Sequence, residues 1–155
     1  MVVAFAPRSK PAGWLGYHFA GRRSTMRHLI CDGEGTPLGV TVSPGQEHET
    51  QQFVPLMEEV TAWPEQPEKL AGDKGYSADW IRDWLKERGI EPVIPYKCNE
   101  KGRRKKFDRD GYRRRNIIER CVNSLKWFRR VATRYEKLAI HYVGIVTLAI
   151  IFRLL

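Results

Sequence analysis

Apolar positions along the chain fall into short runs that switch between two periods. Met26–Cys31 and Pro37–Ser43 flank Asp32–Gly33–Glu34–Gly35, and an Asp-Gly turn between two such runs predicts a β-hairpin, which Pro44–Gly45 ends. Phe53, Val54, Leu56, Met57 and Val60 predict a helix through Val60, with Thr50 as a cap and a start near Val54 that leaves Pro55 in the first turn. Lys69–Gly72 is a short strand leading into Asp73. Trp80, Ile81, Trp84 and Leu85 share one face of a helix that Ser77 caps and Gly89 stops. Pro92–Pro95 is a short buried strand or extended piece. Tyr112–Arg130 reads as one long helix with Ile117, Ile118, Cys121, Leu125 and Phe128 on its core face, and Arg134 begins a last helix. Strands alternating with helices predict an α/β fold whose sheet is partly antiparallel. Residues 1–23 lack a period and are expected as an irregular lead-in to a domain over 24–155.

The chain has 155 residues, the size of one domain. Its formal charge of +9 is not spread evenly. Residues 97–137 carry 16 Lys+Arg and 5 Asp+Glu, and the rest of the chain is slightly acidic. A localised excess of this kind suits a polyanionic partner. Cys31, Cys98 and Cys121 are odd in number and far apart, which excludes a disulfide framework or a CxxC zinc pair and fits a reducing, cytoplasmic setting. Leu138–Leu155 approaches the length of a membrane span, but Arg153 inside it favours a buried terminal helix, so no membrane role is expected.

The basic segment also carries candidate chemistry. On a helical wheel Tyr112, Arg115, Glu119 and Lys126, spaced by 3, 4 and 7, lie on one stripe away from the core face. A carboxylate there suits a divalent metal, and its cationic neighbours suit phosphates. Asp73 is the candidate companion, because carboxylates at strand ends in α/β proteins face the ligand crevice. His48, between acids in Gln46–Glu47–His48–Glu49, reads as a loop histidine, and Trp127 as a base-stacking candidate.

These residues resemble a family. Tyr112-x2-Arg115-x3-Glu119-x6-Lys126 resembles the YREK signature of bacterial insertion-sequence transposases of the DDE type. Ala71–Tyr76 (AGDKGY) is similar to the family's second-aspartate segment, Met26–Gln46 to its hairpin region, and Phe128–Lys137 to the segment after the glutamate. The resemblance implies an RNase H-like fold, a mixed sheet flanked by helices, in which three acids hold two Mg²⁺ (or Mn²⁺) ions. Asp73 would be the second acid and Glu119 the third. Tyr112, Arg115 and Lys126 would contact DNA, and the wider DNA-binding surface would include Arg103, Arg104, Lys105, Lys106, Arg129 and Arg130. The family's first aspartate stands on a strand before the hairpin, and no aspartate precedes Asp32 here. The fold is therefore expected to be N-terminally truncated and to lack its first strand. A shortened gene, a second reading frame that needs an upstream product, and a misassigned start all remain open. Expected partners are transposon-end and target DNA, with a homodimer on DNA and an upstream reading-frame product as further candidates. The expected location is the bacterial cytoplasm, at the nucleoid. The alternative function is that of a non-catalytic DNA-binding remnant or a regulator of a full-length transposase.

Overall fold

The computed structural model describes residues 2–5, 13–14, 25–61, 66–97 and 107–155. Its strands are β1 (Val2–Phe5), β2 (Gly13–Trp14), β3 (Thr25–Cys31), β4 (Pro37–Pro44), β5 (Lys69–Gly72) and β6 (Glu91–Val93). Its helices are α1 (Phe53–Thr61), α2 (Asp79–Glu87), α3 (Arg109–Arg113), α4 (Asn116–Leu125), α5 (Arg129–Ala132) and α6 (Ala139–Leu154). The sheet order is β4-β3-β1-β2-β5-β6. β3 and β4 form the expected antiparallel hairpin, and β5 and β6 run parallel.

The pleat of the strands sorts the core into two halves. Leu29, Cys31, Ala71 and Val93 pack with Ile118, Cys121 and Leu125 of α4, Val131 of α5, and Tyr142, Val146 and Ala149 of α6. Ile30 and Leu70 point the other way and pack with Phe53, Leu56 and Met57 of α1 and with Ile81 and Leu85 of α2. The sheet is thus covered by helices on both faces, the α/β arrangement that alternating strands and helices predict. Each fully buried aliphatic side chain in these layers is worth about 1.5–3 kcal/mol.

The stretch expected as an irregular lead-in instead supplies two strands. β1 lies between the hairpin and β5, parallel to β3 and antiparallel to β5, with Val2 opposite Ile30 on one side and Gly72 on the other. β2 adds Gly13 and Trp14 alongside Leu70 and Ala71. The apolar Val-Val-Ala-Phe run supplies the backbone partners that this part of the sheet requires. The place where a first strand was expected to be missing is therefore occupied, by a strand without an acidic residue.

Three helix boundaries also differ. Ala78 rather than Ser77 is the N-cap of α2, because the Ser77 hydroxyl accepts from the buried Arg82 guanidinium at 2.8 Å. The single helix expected over Tyr112–Arg130 is divided into α3, α4 and α5. The Arg115, Ile117 and Ile118 amides donate three residues back, to the Tyr112, Arg114 and Arg115 carbonyls, which tightens the α3–α4 junction into a 3₁₀-like turn. Because α4 stops at Leu125, Phe128 leaves the core face and is more than a third exposed. The last helix begins at Ala139, five residues after Arg134.

The Asp32–Gly35 turn anchors the helical layer. Asp32 Oδ1 accepts from the Glu34 and Thr36 amides at 2.9 and 2.8 Å, so its carboxylate serves the turn. Gly35 has φ +92°, and a Cβ there would stand 3.0 Å from Ile117 Cγ2 of α4. Its carbonyl accepts from Arg153 Nη1 of α6 at 2.9 Å, and the same nitrogen lies 3.6 Å from Cys121 Sγ. Arg153 thereby ties the end of α6 to the hairpin turn. No helix among the described residues is long and apolar enough to cross a membrane.

Candidate active site

Asp73 follows β5 directly and caps the 3₁₀ turn Lys74–Tyr76, its Oδ1 accepting from the Gly75 amide at 2.9 Å. Glu49 reaches the same place from the 3₁₀ turn Glu49–Gln52 that precedes α1. A Cβ on Gly75 would stand 1.3 Å from Glu49 Oε2 and 3.0 Å from Asp73 Oδ1. Glycine at 75 therefore leaves the space in which the two carboxylates meet. Glu49 Oε2 is buried and has no hydrogen-bond partner among the described residues. Burial, and after it the negative charge of Asp73, pushes the Glu49 carboxyl above the usual carboxylate range.

Beneath this pair lies a buried polar chain. His28 Nδ1 is 2.7 Å from Tyr76 Oη, and His28 Nε2 is 2.9 Å from Ser43 Oγ. A neutral imidazole donates through one nitrogen and accepts through the other, which satisfies both contacts. Burial lowers the His28 pKa to about 4. The Tyr76 phenol is pushed well up by burial and then by the charges of Asp73 and Glu49.

The second half of the site is built on the α3–α4 junction. Asp108 Oδ1 accepts from the Gly111 amide at 2.8 Å and caps α3, while Lys69 ties Asp108 (3.2 Å) and Glu91 (2.9 Å) to the start of β5. This fixes Tyr112, whose ring packs against Phe107 with centroids 5.4 Å apart. The 3₁₀-like turn brings side chains three apart over one another, and Arg115 lies over the Tyr112 ring at 5.3 Å. Arg115 Nη2 donates to Glu119 Oε1 at 2.8 Å. Burial raises the Tyr112 phenol, Arg115 opposes this, and the charges of Asp73 and Glu119 both add to it. One phenol thus feels both carboxylates, one from the end of β5 and one from the first turn of α4.

The remaining candidates are more dispersed. Lys126, at the end of α4, donates to Asn123 Oδ1 at 3.3 Å. Arg129 and Arg130 are exposed on α5, and Arg130 pairs with Glu136 at 3.2 Å. Trp127 is 90% exposed. Arg103, Arg104, Lys105 and Lys106 lie outside the described residues. His48 caps its own turn, with Nδ1 2.8 Å from Thr50 Oγ1. Glu49, His28 and Tyr76 join the site although no motif or spacing in the sequence marks them as site residues. Glu49 is one residue beyond the histidine that drew attention, and His28 interrupts an otherwise apolar strand run.

The donor set can be tested against a two-metal centre. Among the described residues no group of three or more His, Cys, Asp or Glu side chains is arranged to hold a metal ion. Asp73, Glu119 and Glu49 do not by themselves fit such a centre. The strand beside Asp73 adds no donor, because β1 reads Val-Val-Ala-Phe.

Comparison with known proteins is consistent with this layout. The family model described as the transposase DDE domain matches residues 3–154. The chain is 29% identical over 126 residues to the "Putative transposase for insertion sequence element IS402" of Burkholderia cepacia, a match that covers 76% of this chain and 56% of that protein. It is 28% identical over 127 residues to the "Putative transposase for insertion sequence element IS6501" of Brucella ovis, covering 81% of this chain and 94% of that protein. The chain therefore spans just over half the length of the first of these relatives. The catalytic core domain of BIV integrase superposes with a TM-score of 0.55 at 15% identity, covering 88% of this chain and 78% of that one. A chain of the simian T-cell lymphotropic virus intasome in complex with the PP2A regulatory subunit B56 gamma superposes with a TM-score of 0.55 at 10% identity, covering 89% and 45%. The fold is RNase H-like, as the resemblance implied.

Proposed function

The chain belongs to the transposase DDE domain family, and on that premise we propose that it acts in DNA transposition by binding transposon-end DNA. The Tyr112–Arg115–Glu119 arrangement carries this reading. It sets a guanidinium and a phenol beside a carboxylate, on the segment that holds the chain's positive charge. Arg115 can fork onto a phosphate, and Lys126, Arg129 and Arg130, with Arg103, Arg104, Lys105 and Lys106 of the same basic stretch of sequence, are the further cations proposed to contact DNA. Asp73 and Glu119 are the acids proposed for Mg²⁺ or Mn²⁺ in the complete enzyme, which would cleave and join phosphodiesters once a third carboxylate is supplied. Among the described residues no three His, Cys, Asp or Glu side chains are grouped to hold a metal ion, and the reading proposed for the chain acting alone is binding without cleavage. The same observation favours the second reading, a non-catalytic DNA-binding remnant or a regulator of a full-length transposase. Both readings place the protein with DNA in the bacterial cytoplasm.

The test is a salt titration. The purified chain binds transposon-end duplex with log K falling linearly in log salt, about 0.9 per phosphate neutralised. Replacing Arg103, Arg104, Lys105 and Lys106 with Ala lowers that slope by about 3–4. The chain alone leaves the duplex intact in Mg²⁺. Salt-independent binding would refute the DNA reading, and Mg²⁺-dependent cleavage by the purified chain would refute the need for a further acid.

A further inference from the structure

One side of α4 is given over to solvent. Ile118, Cys121 and Leu125 are buried in the core on the other side. Opposite them Asn116, Arg120, Asn123 and Trp127 follow one another at spacings of four, three and four, and all four are exposed. Among the described residues the side chains of Asn116 and Arg120 make no hydrogen bond or ion pair. Asn123 Oδ1 accepts from Lys126 at 3.3 Å and keeps a second lone pair. The row holds no carboxylate and no aliphatic side chain. Asn123 is also a weaker helix former than the Lys or Glu that would serve solubility at that position.

We propose that this row reads base edges in the major groove of a DNA duplex, so that α4 is the element that selects sequence. The assignment rests on the DNA-binding reading and supplies the contacts that carry sequence information. Phosphate contacts position a protein on a duplex, and base contacts specify. The two kinds of side chain are separated here. Arg113 on α3, and Arg129 and Arg130 on α5, are exposed cations beyond the two ends of the row, as suits the phosphates that flank a groove. Between them stand groups whose donors and acceptors match bases: a guanidinium for O6 and N7 of guanine, and carboxamides for N6 and N7 of adenine. Asn116, Arg120 and Asn123 span about 10 Å of helix axis, the rise of about three base pairs. A major groove about 12 Å wide admits a single helix, and at the end of the row the Trp127 indole offers an apolar face to a base. Glu119 precedes Arg120 on the flank of the same helix, so a duplex registered by this row has its backbone beside the Arg115–Glu119 pair.

Selection from a pool of duplexes with a randomised centre tests the assignment, with one fixed random-sequence duplex as the measure of binding without readout. The parent binds the fixed duplex and enriches from the pool a short motif that contains guanine and adenine. Arg120→Ala relaxes the preference for guanine at one position by about 5- to 150-fold. Asn123→Ala relaxes adenine at a nearby position by a similar factor. Arg129→Ala removes the same charge as Arg120→Ala, yet it weakens binding to every duplex alike, lowers the salt slope by about 0.9 and leaves the motif intact. Circular dichroism and melting of the Arg120 and Asn123 variants stay those of the parent, because both positions are exposed. A parent that binds the fixed duplex but enriches no motif, or an Arg120→Ala variant that keeps the parent's motif, overturns base reading by α4 and leaves the DNA-binding reading standing. A parent that binds no duplex at all overturns both.

Discussion

The two carboxylates proposed for the site are prepared in opposite ways. Asp73 stands at the end of a core strand, fixed by the Gly75 amide, crowded by Glu49 and underlain by the Tyr76–His28–Ser43 chain. Glu119 stands on a surface helix, 52% exposed, paired with an arginine that is itself 29% exposed. The first environment is rigid and partly desolvated, so its charges interact strongly. The second is solvated, so its ion pair is worth only a few tenths of a kcal/mol and opens readily for another anion. An enzyme of this family would need the rigid half to hold its chemistry and the solvated half to receive DNA. In this chain the solvated half carries Arg115 and Glu119, and the rigid half sets Glu49 against Asp73.

Acid titration breaks this comparison with the largest effect. The folded-state pKa of His28 lies near 4, below its unfolded value of 6.5, because burial disfavours the cation. Its contribution to stability is therefore complete above pH 6.5 and is lost as pH falls toward 4, by about 3 kcal/mol in all. Glu49 titrates in the opposite sense, since its carboxyl is raised and protonation relieves it. The measurement is thus the difference between parent and His28→Gln denaturation curves across that window, and parallel curves would remove His28 from the account.

A smaller effect tests the crowding at Gly75. Gly75→Ala drives a methyl into Glu49 Oε2 and costs about 1–2 kcal/mol, most of which the double variant Gly75→Ala/Glu49→Ala recovers. Additive losses in the double-mutant cycle would show that the two residues do not meet. The smallest effect belongs to the solvated half. Glu119→Ala or Arg115→Ala changes unfolding free energy by less than about 0.5 kcal/mol, while Arg115→Ala weakens DNA binding in the salt titration. A large stability loss from either variant would mean that the ion pair is a packing element rather than an open surface.

Much of this architecture was legible in the pattern of residues. The hairpin around Asp32–Gly35, the strand leading into Asp73 and the helix carrying Glu119 are all local signals of period and turn chemistry, and local signals survive folding. The stripe Tyr112–Arg115–Glu119 was readable for the same reason, since spacings of three and four fix neighbours on any helical path. Boundaries were less legible. Ser77 is a good cap by type, yet a buried arginine five residues on claims its hydroxyl. The break at Arg114–Arg115 has no glycine or proline to announce it.

Sequence alone determined the family, the segregation of charge into residues 97–137 and the acids worth examining, because each depends on residue type and spacing along the chain. Tertiary structure alone decided three other matters. It placed Val2–Phe5 inside the sheet, brought Glu49 to Asp73 across 24 positions, and left one apolar stripe of α6 uncovered while burying the other face. Those outcomes depend on which surfaces meet after the chain has folded back on itself. Contacts between distant segments are selected by shape and burial, and neither is written in the neighbourhood of any single residue.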